Sequence, residues 1–169
     1  MNIYFTSGTA DYLHKLVQQY PDEKLIQLAG EDTSLLIHET TGKSIFKEPR
    51  KYEAFNEAGQ LTDTGFFVFN NIPVSDEGRP IFEDRFKNRA GLIEQEPGFI
   101  AIRVLRPLNS DTYVVLTQWD SEESFKKWQT STAYNKAHTK RGTDQGIDHQ
   151  KTIFPRSSFV TKYVAQPEE

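Results

Sequence analysis

Three side chains with chemical potential stand out: Asn70, within an otherwise apolar strand, Trp128 and His138. His138 lies four residues after Tyr134, so the two share one face of a helix. A neutral imidazole holds a metal ion through a ring nitrogen, but a lone helical histidine is more commonly a surface or satisfied core residue, and both readings stay open. Trp128 shares a face with Phe125 at i, i+3 spacing. That pair fits core packing as well as the wall of a cavity. Asn70 lies in Phe66-Phe-Val-Phe-Asn-Asn-Ile-Pro-Val74, where strand alternation sets it in one row with Phe66, Val68, Ile72 and Val74. A buried amide without partners costs about 1–3 kcal/mol, so Asn70 meets either a structural hydrogen bond or a ligand.

The elements that must position these residues are visible locally. Val115-Leu-Thr-Gln-Trp119 is a β-favouring run, in which Trp119 alternates with Thr117 and Val115 and reads as core. Asp120-Ser121-Glu122-Glu123 supplies a capping residue and acids for a helix start. Thr130-Ser131-Thr132 offers a second cap, so residues 133–140 read as a separate helix stopped by Gly142. In one continuous helix Trp128 and His138 would stand roughly 80° apart. A bend between them lets both line one cavity.

Upstream, residues 2–6 alternate as a short strand, and Tyr12, Leu13, Leu16, Val17 and Tyr20 mark one helical face ended by Pro21. Residues 25–29, 34–38 and 44–46 read as short strands. The polar, glycine-bearing stretch 56–65 has no periodicity and is the expected boundary between segments 1–62 and 65–164. After it come strand 66–74, a helix opened near Pro80 with Ile81, Phe82, Phe86, Ala90 and Ile93 inward, and strands 99–106 and 112–119. The capped helices follow, then a last strand over 152–164. The second part thus reads β-α-β-β-α-β, an α+β ferredoxin-like pattern. The first part, β-α-β-β-β, is an incomplete companion without a residue-level repeat of the second.

Composition narrows the function classes. With 169 residues there is enough chain for a packed core, and twelve Phe and seven Tyr supply apolar material despite a mean hydropathy of -0.64. A net charge of -4 offers no basic stripe to offset phosphate repulsion, so nucleic acid is not the expected partner. The absence of cysteine excludes disulfides, thiolate ligation and iron–sulfur chemistry and is compatible with a reducing cytoplasm. No leader and no apolar run of membrane length is visible, and a soluble cytoplasmic protein is expected. Neither a Gly-x-Gly-x-x-Gly nor a phosphate-binding Gly-Lys-Ser/Thr loop is present. His14, His38, His138 and His149 contain no His-x-x-x-His pair, and a Gly-x-Ser-x-Gly elbow is missing. Two charge clusters, residues 47–51 and 136–141, commonly mean only solvated surface.

The order Asn70-x-Ile72-x-Val74, Leu116-Thr117-x-Trp119, Phe125-x-x-Trp128 and Lys136-Ala137-His138 resembles the haem-degrading monooxygenases of the IsdG type, in the antibiotic-biosynthesis-monooxygenase (ABM) superfamily. The resemblance covers roughly residues 65–164, and the whole chain is similar to the longer relatives, which include TRAP-like signalling proteins. It implies a ferredoxin-like α+β fold of the dimeric α+β barrel type, with haem as both cofactor and substrate. His138 would ligate the haem iron, Asn70 would hydrogen-bond the bound oxygen, and Trp128 would press the macrocycle out of plane. Where the family often carries a basic residue after the asparagine, this chain has Asn71, and strand parity selects Asn70. O2 and an external electron donor, a reductase or a small reductant, would complete the reaction, and cluster 136–141 could reach the propionates. Two alternatives stay open: a non-catalytic haem-binding or TRAP-like signalling protein, and a cofactor-free ABM oxygenase of a polycyclic aromatic. ABM domains usually pair into a dimeric barrel. Here the first segment could act as a built-in partner, giving a monomer with an intramolecular pseudo-dimer and one haem site.

Overall fold

In the computed structural model, which describes residues 1–87, 93–131 and 153–165, strands from both parts of the chain close into one barrel. The first part supplies β1 (Asn2–Gly8), α1 (Ala10–Gln19), β2 (Lys24–Gly30), β3 (Ser34–Thr40) and β4 (Arg50–Gly59). The second supplies β5 (Phe66–Pro73), α2 (Arg79–Lys87), β6 (Phe99–Pro107), β7 (Thr112–Trp119), α3 (Glu122–Gln129) and β8 (Phe159–Ala165). Around the barrel the order is β1-β3-β2-β8-β5-β7-β6-β4, every neighbour antiparallel. This is two ferredoxin-like sheets, β4-β1-β3-β2 and β8-β5-β7-β6, joined at the β2–β8 and β6–β4 seams. The second repeats the first about a pseudo-twofold axis. Closure matters because an open four-stranded sheet would leave unpaired edges and one uncovered apolar face.

The barrel interior draws on both sheets: Ile3, Phe5, Leu28 and Ile37 meet Phe67, Phe69, Leu105 and Leu116. Charge is buried there as well. Glu39 on β3 accepts from Arg103 Nε of β6 and from Lys24 Nζ of β2, each at 2.9 Å, and Glu57 stands 3.3 Å from Arg103. Burial alone would raise the Glu39 pKa, but the bonds from Lys24 and Arg103 outweigh it and hold the carboxyl below its ordinary range. Buried Gln118 on β7 exchanges hydrogen bonds with Thr62 and Thr64, fixing the β4–β5 connection, and Leu61 of that connection enters the core.

Residues 44–46 are not a strand. Ser44 Oγ accepts from the backbone N–H of Phe46 and turns the chain, while Ile45 and Phe46 pack with Tyr4, Leu13 and Leu36 under α1. The fourth strand is β4, which overlaps the stretch expected as a connection. A β-bulge between Ala54 and Asn56 switches its parity, so Tyr52 and Ala54 alternate inward before it and Glu57 reaches Arg103 after it. Ile81 is 49% exposed rather than inward. Phe82 and Phe86 take the inner face of α2, and the neighbouring position lies about 100° around the helix. The last strand begins at Phe159 instead of 152; Pro155 follows Ile153 and Phe154, which pack against α2.

Candidate functional site

The outer face of the second sheet carries the row Phe66, Val68, Asn70, Ile72 on β5. Beside it on β7 stands Trp119, Thr117, Val115, Tyr113, paired in that register. Helix α3 covers one end, where Phe125 and Trp128 pack with Phe66, Val68 and Trp119. Its start is set by Ser121, whose hydroxyl accepts from the Ser124 N–H. Gly98 adopts a φ of +85°, and a Cβ there would collide with Ser124 and Asp120, so glycine is what lets β6 begin against the cap of α3. Helix α2 covers the other end, where Phe82 packs with Val74, Tyr113 and Ile153.

Between the two helix-covered ends lie Asn70 and Val115, both half-buried. Asn70 Oδ1 is buried and has no hydrogen-bond partner among the described residues. Asn71 is opposite in every respect: it faces the barrel interior, is buried, and its Nδ2 donates to Phe69 O, Phe159 O and Thr161 Oγ1. Asn71 is therefore a structural amide, whereas Asn70 Oδ1 is a buried polar atom left without a partner among the described residues.

Trp128 is half-buried, with its ring centroid 5.6 Å from that of Trp119 and 6.1 Å from that of Phe125. Trp119 is fully buried, and its Nε1 donates to Thr117 Oγ1 at 3.0 Å. The pair forms a backed aromatic wall on the cleft side of α3. The helix stops at Thr130, whose hydroxyl bonds the Lys127 carbonyl. His138, Tyr134 and the expected helix 133–140 lie outside the described residues, as does His149.

A group not anticipated from sequence fastens α2 to the sheet. Glu83 accepts from Arg106 Nε at 3.0 Å and from the Tyr113 hydroxyl, while Arg79 Nη2 reaches Pro107 O at 2.8 Å. The Arg106 guanidinium holds the Glu83 carboxyl below its ordinary range, and burial together with Glu83 pushes the Tyr113 hydroxyl up to about 12. Tyr113 thus stays protonated as a donor. A second unanticipated feature is the outer row of β8, Val160, Lys162 and Val164, which faces solvent beside β5. Its signal in the sequence is the alternation of valines with one lysine.

The pseudo-equivalent face of the first sheet is filled. Tyr4, Leu36 and Phe46 pack beneath Leu13 of α1, and fully buried His38 lies among them with Nε2 2.9 Å from Glu23 Oε2. The described residues hold no group of three or more His, Cys, Asp or Glu arranged to bind a metal ion.

Residues 65–140, in the second part of this barrel, match the family model of the antibiotic biosynthesis monooxygenases. Among individual proteins, the chain is 27% identical over 164 residues to a haem-degrading monooxygenase of Listeria monocytogenes, covering 95% of this chain and 98% of that one. It is 26% identical over 133 residues to the signal transduction protein TRAP of Staphylococcus aureus, covering 79% and 80%. The structure of a major regulator of staphylococcal pathogenesis shares its fold with a TM-score of 0.86 at 23% identity, over 99% of this chain and all of that one.

Proposed function

We propose that the protein is a haem-degrading monooxygenase that binds haem as substrate and cofactor, opens the porphyrin ring and releases iron. The observation that carries this reading is the buried Asn70 Oδ1, unpartnered among the described residues, on an apolar sheet face flanked by Trp128 of α3. An orphaned amide costs stability unless a ligand completes it. The apolar and aromatic surround fits a flat hydrophobic macrocycle, and similarity to the Listeria haem-degrading monooxygenase runs over nearly the whole chain.

Bound haem supplies oxygen activation, with O2 and electrons from a reductase or small reductant outside the chain. The chain's own residues bind, orient and strain. His138 holds the iron in this reading, from the segment that follows α3. Asn70 sits on a paired strand, between Val115 of β7 and Val160 of β8, so its backbone is fixed in position. Rotation of that amide presents either Nδ2 as donor or Oδ1 as acceptor to whatever occupies the cleft. Trp128, backed by Trp119 and Phe125, would resist displacement by a bound macrocycle and press against it. The matching face of the first sheet is covered by α1 and Phe46, so one haem per monomer is part of the proposal.

Similarity to TRAP supports a second reading, a haem-binding or signalling protein without turnover. Titrating the apoprotein with haemin separates the possibilities. A Soret band that shifts and weakens in His138→Ala supports ligation by that residue. A band identical in both proteins removes His138, and no band at all removes haem.

A further inference from the structure

The candidate cleft is closed on one flank and open on the other. On β7, Tyr113 and Trp119 are fully buried, Thr117 nearly so and Val115, opposite Asn70, half-buried. On β8, Val160 is 53% and Val164 50% exposed, and Lys162 between them is exposed too. Val160 is the direct cross-strand partner of Asn70, and Lys162 that of Val68. A flat molecule seated on Asn70 and longer than one strand spacing of about 4.8 Å therefore extends over β8. There it meets valine, lysine, valine in one row. Directly opposed and diagonal residues of paired strands lie within about 8 Å, well inside the reach of a lysine.

Among the described residues, Lys162 is the cation available on that flank. It makes no ion pair with any of them, and its ammonium lies 5.8 Å from the Phe125 ring centroid, leaning toward α3 and the aromatic wall. Arg106 is engaged with Glu83 and Glu53 and Arg79 with Pro107 O, while Lys126 pairs at 3.9 Å with Glu122 along the outside of α3. A hydrophobic stem with a charged head covers an apolar ligand and meets an acid at its rim.

We propose that Lys162 is the specificity residue for the acidic edge of the ligand: an apolar planar molecule lies across the Val68–Asn70 row, and its carboxylate crosses β8 to the Lys162 ammonium. This rests on the haem reading, in which that carboxylate is a propionate. It gives the site a preference for ligands with an acidic rim over neutral ones of the same shape. Because Lys162 is solvent-exposed, its replacement leaves the fold intact.

The test is titration of the full-length protein, Lys162→Met and Lys162→Glu with ferric protoporphyrin IX and with its dimethyl ester, at low and high salt. The proposal expects the dissociation constant for the diacid to rise about fivefold in Lys162→Met and about tenfold in Lys162→Glu. The ester should bind all three proteins alike, and the salt dependence of diacid binding should fade in Lys162→Met. Equal diacid affinity in all three proteins would overturn the role of Lys162 and leave the haem reading standing. Failure of the wild-type protein to bind either porphyrin would overturn both.

Discussion

Asn70 and Asn71, adjacent on β5, face opposite sides of the barrel wall: Asn71 Nδ2 makes three hydrogen bonds inside, while Asn70 Oδ1 has none outside among the described residues. The two amides therefore predict opposite mutational signatures. Asn71→Ala removes satisfied bonds and leaves two carbonyls short of a donor, at a cost of about 1–3 kcal/mol. Asn70→Ala removes an unsatisfied group and should leave stability nearly unchanged. In the proposed reaction it retains haem and slows turnover about a hundredfold. Urea unfolding and single-turnover spectra of the two variants check this pair of outcomes, and a dead Asn71→Ala with a normal Asn70→Ala would reverse the assignment.

Trp128 is expected to act through shape. Trp128→Phe keeps an aromatic against Trp119 but shortens the wall, so haem binding should persist while ring opening slows several-fold. If the rate is unaltered, Trp128 serves only to pack α3.

The Glu39–Arg103 pair joins the two sheets through the barrel interior. Because the folded Glu39 pKa is lowered, its contribution to stability is present above the ordinary carboxylate value of 4.5 and is lost as pH falls through the folded value. Glu39→Gln should cost about 1–3 kcal/mol near neutral pH, since it leaves buried Arg103 with only the half-exposed Glu57 as its carboxylate partner. The gap between variant and wild type should then narrow in acid. Denaturant unfolding across the acid range measures it; a gap independent of pH would mean that the carboxylate contributes no charge.

Part of this architecture is written in short-range patterns. The helix start within residues 120–123, the alternation in residues 66–74 and 112–119, and the Leu13, Leu16 and Val17 part of the α1 stripe depend only on near neighbours and appear where their spacing puts them, although the cap is Ser121 and Tyr12 and Tyr20 are exposed. Strand parity also assigns Asn70 and Asn71 to opposite faces. What short-range patterns do not carry is whatever depends on distant partners. β4 hides behind a bulge and a charged Glu57 that pairs with Arg103. Arg103 and Glu39 are separated by 64 positions. The missing partner of Asn70 Oδ1 is a property of its neighbours on β7 and β8 rather than of the sequence around it. The role of His138 rests on family resemblance alone.

Assembly follows from closure. The interior faces of β5–β8 are covered by β1–β4 of the same chain, so the full-length protein is expected to run as a monomer of 19.5 kDa in light scattering. A chain starting near Thr64 would expose Phe67, Phe69, Val114 and Leu116 and should dimerise or aggregate. A stable full-length dimer together with a well-behaved monomeric truncation would contradict this reading of the first segment.

The central claim is that this cleft degrades haem. The most direct measurement loads the full-length protein with one equivalent of haemin, adds ascorbate in air with catalase present, and follows the Soret band together with iron captured by a ferrous chelator. The account predicts that the band decays while iron appears in step, and that both slow together in Asn70→Ala. A stable Soret band with no iron released would contradict it and identify the protein as a haem binder without turnover.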